Sequence, residues 1–273
     1  KVEPELIYPL IRGRDVKKWY VRFGNIYTIL PVSNDGEILH HKDLRTKYPH
    51  AWQYFRNFFD ELVNRGGEPY KTKLKPYRTR DIHAAEREAP PFYWIFNTTP
   101  SLSPYKVVWK NITGAITGKA TDFQAAVVEP INDKWLGKKI VIPNVKLMLT
   151  PVEEPAEAYY LCAILNSTPI KYIAASYMIE TGISTNLYEY IKLPKYERNN
   201  QLHNTIAELG KKAHELATQI YAENKSHLID QLTDVENEID KAVAELYGLS
   251  DDELAEIKRF FAILAGEEMP EEE

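Results

Sequence analysis

The chain holds one cysteine, Cys162, in 273 residues. A single thiol excludes an internal disulfide framework and a cysteine-based zinc site, and it fits a reducing, cytoplasmic setting. No apolar run approaches the roughly 18 to 20 residues of a membrane-spanning helix. The opening KVEPELIYPL has no signal-peptide pattern and no initiator methionine, which points to a processed product or a piece of a longer chain. A Rossmann fingerprint is absent, and so is a P-loop. The nearest string, GAITGK at 114–119, has three residues between its glycines where a P-loop has four. Ala120 stands where the magnesium-binding hydroxyl belongs, so the string reads as a turn between strands. The histidines show no HExxH spacing, and the adjacent His40 and His41 read as an exposed polar turn. No GxSxG elbow occurs. Ala89-Pro90-Pro91-Phe92 approaches the Asn/Asp-Pro-Pro-Tyr/Phe loop of amino-methyltransferases. Ala89 has no oxygen to accept a hydrogen bond from an exocyclic amine, so the string reads as a loop entering a strand.

What is present is uneven. Residues 1–149 carry 24 Lys and Arg against 15 Asp and Glu, whereas residues 150–273 carry 10 against 24. A net charge of -5 therefore hides a basic half able to meet nucleic acid and an acidic half that repels it. Residues 8–32 are rich in β-branched and aromatic residues and predict short strands closed by the Asn34-Asp35-Gly36 turn. Leu44, Tyr48, Trp52, Phe55, Phe59 and Leu62 recur at helical spacing, so 41–65 reads as one helix stopped by Gly66-Gly67. Residues 68–90 read as a basic loop or irregular strand. FYWIFN, YKVVWKNI, AAVVEP, KKIVIP and VKLMLT, between 91 and 150, read as strands. Trp52, Trp94, Trp109 and Trp135 each sit in an apolar run and read as core.

The second half is helical. AEAYYLCAILNSTPIKYIAASYMI breaks at Ser167-Thr168-Pro169, with Pro169 suited to a first helical turn. Cys162 falls on its apolar stripe and reads as core rather than nucleophile. Two apolar stripes, Leu202 to Ile220 and Leu228 to Leu246, predict an antiparallel helix pair. Gly248 fits a helix stop, and Ser250 with Glu253 fits a capping box. Glu256 and Lys258 are the one hint of a nuclease cluster, without a partnering Pro-Asp strand.

At YPLIRGRDVKKW, 8–19, the sequence resembles the segment that opens the target-recognition domain of large restriction–modification adenine methyltransferases of the Eco57I and TaqI kind. YKVVWKNI at 105–112 is similar to a later strand of that domain. LCAILNSTPIKYIAASY at 161–177, followed by KLP at 192–194, is similar to its Leu-Asn-Ser helix and the extended stretch after it. NEIDKAVAELYGLSDDELAEI at 237–257 is similar to the ending common in these enzymes. The residue patterns and the resemblance together predict an α+β chain: a mixed β-rich recognition domain over 1–150, then a helical region over 151–273. That region would hold the helix pair 200–247, a short last helix at 251–264 and an acidic tail.

The resemblance implies sequence-specific binding of double-stranded DNA as the specificity part of a methyltransferase or endonuclease. The catalytic domain would be attached in cis or supplied as a separate subunit. This chain itself would hold no cofactor and carry no catalysis. S-adenosylmethionine, with magnesium as a second candidate, belongs to the catalytic parts of the parent enzyme. No membrane partner is expected. Phosphates are met by lysine and arginine heads that displace condensed counterions, and bases by planar or forked donors. KTKLKPYRTR supplies Lys71, Lys73, Lys75, Arg78 and Arg80 in ten residues, with Arg78 and Arg80 suited to base readout. Arg12, Arg14, Lys17 and Lys18 form a second cluster, in which Arg14 and Asp15 can instead pair. Lys106, Lys110 and Lys119 flank the VVW strand, with Asn111 beside them. The rival readings are a nuclease or methyltransferase with atypical motifs, and a protein-interaction module built on the acidic helices.

Overall fold

The computed structural model describes residues 1–33, 35–95, 98–110, 123–177 and 187–266. Four short strands open the chain: β1 (Ile7–Ile11), β2 (Val16–Lys17), β3 (Tyr20–Val21) and β4 (Tyr27–Ile29). Six helices follow: α1 (His41–Lys47), α2 (Pro49–Asn57), α3 (Phe59–Val63), α4 (Tyr70–Lys73), α5 (Pro76–Thr79) and α6 (Ile82–Glu88). Among the described residues six more strands come next: β5 (Tyr105–Lys110), β6 (Ala125–Val128), β7 (Ile131–Asp133), β8 (Gly137–Lys139), β9 (Ile142–Pro143) and β10 (Leu147–Val152). The described chain ends in α7 (Pro155–Asn166), α8 (Thr168–Tyr177), α9 (Leu187–Tyr190), α10 (Gln201–Ala222), α11 (Ile229–Tyr247) and α12 (Asp251–Ala265). The fold is α+β, with several small sheets and a helical C-terminal region. No described helix is long and apolar enough to cross a membrane.

Two compact units divide the chain, and they interleave. One unit is formed by 1–10, 25–102 and 131–142, the other by 11–24, 103–130 and 143–273. The expected single boundary near 150 is replaced by several passages between units, and residues 1–150 contribute to both.

The first unit packs around aromatics. The stripe expected for one helix over 41–65 is divided among α1, α2 and α3. Tyr48, ahead of Pro49, takes φ -133 and ψ 63, because a residue before proline is pushed out of the helical region. Phe58 makes the second break, at φ -110 and ψ 24. The stripe still points inward, with Leu44 and Phe55 buried among Leu74, Tyr77, Phe92 and Tyr93. The stretch 68–90 is helical rather than a loop or strand. Asp81 caps α6, its Oδ1 accepting from His83 N at 2.9 Å and Ala84 N at 3.0 Å. FYWIFN forms no strand over its described residues. Trp94 N closes a turn on Pro91 O at 2.7 Å, and Phe92 and Tyr93 are buried. Phe92 is therefore core, and no strand follows the Ala89–Pro91 loop as far as Ile95. Antiparallel strands β1 and β4 pair Ile7 with Ile29, and β7 with β8 forms a hairpin.

The second unit sets the antiparallel sheet β10-β5-β6 against α7. Helices α10 and α11 pack on each other, and α10 also packs on α7. Trp109, Val107, Cys162, Ile164 and Ile206 fill one core. The Ser167 break occurs as expected. Ser167 Oγ donates to Ile164 O at 2.7 Å, while Asp240 accepts from Thr168 N and Thr168 Oγ1, both at 2.8 Å, and so caps α8. Residues 191–194 belong to no helix or strand. Gly248 ends α11 at φ +70, and the Ser250–Glu253 capping box opens α12. Gly210 lets α10 approach α7 closely: a Cβ there would lie 2.5 Å from Tyr159 O.

Candidate nucleic-acid interface

The basic segments fall in different units. Residues 71–80 belong to the first, and 12–18 with 106–110 belong to the second. Lys119 and Asn111 lie outside the described residues, as do Asn34 of the expected turn and the 114–119 string.

In the first unit, the basic stretch forms two helical turns rather than a loop. Gly67, at φ +82, precedes α4. Leu74 is fully buried and Tyr77 nearly so, which fixes both turns to the aromatic core. Lys71, Lys73 and Lys75 surround this anchor and are all exposed. Among the described residues none of the three has a side-chain ion pair or hydrogen bond. Arg78 is differently placed. Its Nε donates to Val63 O at 2.8 Å, and its Nη2 reaches Val63 O and Arg65 O, satisfying carbonyls at the end of α3. The expected base-reading fork is thus engaged by the fold. Arg80 is exposed and pairs with Glu88.

In the second unit, Asp15 pairs with Arg12 rather than Arg14. Its Oδ2 accepts from Arg12 N at 2.8 Å and Arg12 Nε at 3.2 Å, closing the turn. Arg14 is exposed. Lys17 Nζ lies 4.0 Å from the Tyr221 ring centroid. Lys18 Nζ pairs with Glu236 Oε1 at 2.6 Å, and Trp19 Nε1 donates to the same oxygen at 2.6 Å. Lys110 is half-buried. Lys106 contradicts its expected surface role: it is fully buried, with Nζ donating to Ser103 O. β5 is the central strand of its sheet, and residues 106–109 are buried on both of its faces. Desolvation lowers its pKa to about 7.

Lys18 and Trp19 line a cavity of about 410 Å³ with Lys171, Glu236, Asp240 and Lys258. Trp19 holds φ +63, a left-handed backbone unusual for a bulky residue, and is buried. Lys258 Nζ lies 3.2 Å from Asp240 Oδ2 and 2.7 Å from Asn237 Oδ1. Burial and the neighbouring Lys18 charge lower the Lys171 pKa to about 8. This ionic cluster escapes sequence reading because its members come from four separate segments. Lys258 joins Asp240, whereas Glu256 pairs with Arg259 at 3.9 Å, so the expected Glu256–Lys258 grouping is split.

Cys162 is buried as expected. His214 Nε2 lies 3.9 Å from its sulfur but accepts from Val127 N at 2.9 Å, and His214 Nδ1 bonds Gly210 O at 2.8 Å. Burial lowers the His214 pKa to about 4, and the ring serves the packing of α7, α10 and β6. His41 is buried rather than exposed, 3.7 Å from Glu86. Among the described residues no group of three or more His, Cys, Asp and Glu is placed to hold a metal.

One aromatic departs from its expected place. Trp135 is 69% exposed at the tip of the β7–β8 hairpin, between Lys134 and Leu136. The signal was its setting: Asp133 before it and Gly137 after it form a tight turn. Comparison with protein-family models and with curated proteins gave no match to this chain.

Proposed function

We propose that this chain binds double-stranded DNA sequence-specifically, as the specificity part of a restriction–modification adenine methyltransferase or endonuclease. The catalytic domain lies in cis or on a separate subunit, and S-adenosylmethionine, with magnesium as a second candidate, serves that domain in a cytoplasmic setting. The observation that carries this reading is the α4–α5 segment. Lys71, Lys73 and Lys75 project from turns anchored by Leu74 and Tyr77, without acidic partners among the described residues. Compact ammonium groups on a fixed scaffold suit phosphate anchoring. The four ordered stretches that resemble target-recognition domains supply the class of nucleic acid and the parent reaction.

The test is a salt titration of binding to a short labelled duplex. Removing one phosphate-anchoring charge lowers the slope of log affinity against log salt by about 0.9. The Lys71→Ala, Lys73→Ala, Lys75→Ala triple variant is expected to lower it by roughly 2 to 3. An unchanged slope contradicts the assignment of these lysines.

A further inference from the structure

The β7–β8 hairpin lies within the first unit and is built to hold one indole in solvent. Asp133 is its hub. Its Oδ1 accepts from Trp135 N at 2.8 Å and Leu136 N at 2.9 Å, and its Oδ2 accepts from Tyr27 OH at 2.7 Å. Gly137 completes the turn at φ +71. At the hairpin base, Lys139 Nζ donates to Pro4 O at 2.8 Å and Glu5 O at 3.1 Å. The tip is therefore ordered by side-chain bonds that the indole does not share. An exposed tryptophan leaves a large apolar surface in water, and that cost is recovered when a partner covers it. Charge indicates the partner. Lys134 and Lys138 are exposed on the same hairpin, Lys134 Nζ lying 5.3 Å from the indole ring centroid and Lys138 pairing across from Asn132. The one carboxylate of the turn, Asp133, is occupied by its three hydrogen bonds. Cations on a hairpin tip that also presents a π-face match an anionic polymer whose repeating unit offers a π-face too.

The geometry points to this tip as a second DNA contact, in which Trp135 stacks on a base while Lys134 and Lys138 meet the flanking phosphates. This inference rests on the DNA reading above and adds a stacking residue to it. Base–aromatic stacking is sequence-tolerant, so the tip would add affinity wherever a base is unstacked, without selecting it by hydrogen bonds.

The experiment measures binding of the full chain and its variants to a labelled duplex containing one unpaired base. Trp135→Ala is expected to weaken binding roughly 5- to 150-fold. Trp135→Phe is expected to retain most affinity, and Trp135→Leu, apolar without a π-face, to behave as Trp135→Ala. Lys134→Ala and Lys138→Ala are each expected to lower the salt slope by about 1. Thermal melts verify that each variant folds, since residue 135 is outside the core. Alanine or leucine variants that bind as the wild type does overturn the stacking role alone. Failure of the wild-type chain to bind any duplex overturns both this inference and the DNA reading. Wild-type binding to phosphatidylserine vesicles that is abolished in Trp135→Ala, with duplex affinity unchanged, assigns the tip to lipid and overturns the proposal.

Discussion

Two basic residues show why side-chain type alone does not assign a phosphate contact. Arg78 and Lys106 sit in stretches rich in positive charge, yet both are engaged by the fold, Arg78 on the carbonyls at the end of α3 and Lys106 in the interior. Removing the Arg78 fork leaves carbonyls at the end of α3 without their donor. Arg78→Ala is therefore expected to cost about 1–3 kcal/mol of folding stability, read by urea unfolding. Stability equal to the wild type would contradict the role. Lys106 makes a statement about pH. Burial lowers its pKa from the usual 10.5 to about 7. Between those values the unfolded chain holds a proton that the folded chain releases, so this residue makes stability rise with pH from about 7 to about 10. Below about 7 both states are protonated and its contribution is flat. Lys106→Met is expected to remove a slope of up to about 1.4 kcal/mol per pH unit in that window. Lys171 titrates in the same range but is present in both proteins, so the difference between the two curves isolates Lys106. Parallel curves would contradict the assignment.

Among elements, burial was more legible than continuity. The stripe from Leu44 to Leu62 identified the inward face correctly, but periodicity does not register that Pro49 constrains Tyr48. In 68–90 the apolar anchors Leu74, Tyr77 and Ala85 are too sparse to reveal helices of four to seven residues, which tertiary packing holds. The C-terminal helix ends at Ser167, Gly248 and the Ser250–Glu253 box were legible because they depend on near neighbours, whereas the Asp240 cap on α8, 72 residues away, was not. Trp135 differs from the other tryptophans in its neighbours: Asp133, Lys134, Gly137 and Lys138 mark a polar turn, so the aromatic alone is a poor guide to burial there. Gly210 was silent in the sequence, its role depending on a helix some fifty residues earlier. Gly210→Ala would drive a methyl against the Tyr159 carbonyl, 2.5 Å away, and 3.2 Å from Ala163 Cβ. The expected cost is about 1–3 kcal/mol, in spite of alanine's better helix propensity. A thermal melt in which Gly210→Ala matches or exceeds the wild type would show that α7 and α10 separate at little cost.

For the whole molecule, the charge contrast seen along the sequence does not divide between the compact units in the same way. The first unit holds 15 Lys and Arg against 12 Asp and Glu, and the second 19 against 27. The reason is topological: residues 11–24 and 103–130, with Arg12, Lys17 and Lys18, belong to the acidic unit, where Lys18 meets Glu236. Such long-range placement leaves no local trace in the sequence. The candidate interface was accordingly legible as a composition, five positive residues in 71–80, but not as a division of labour among them. The central claim is sequence-specific recognition of duplex DNA, and selection from a randomised duplex pool tests it most directly. The purified chain is mixed with the pool at near-physiological salt, bound duplexes are recovered and amplified over several rounds, and the survivors are sequenced. Enrichment of one short motif, bound more tightly than its scrambled form, is the predicted result. Survivors with no common motif, or no retention of any duplex, would contradict it.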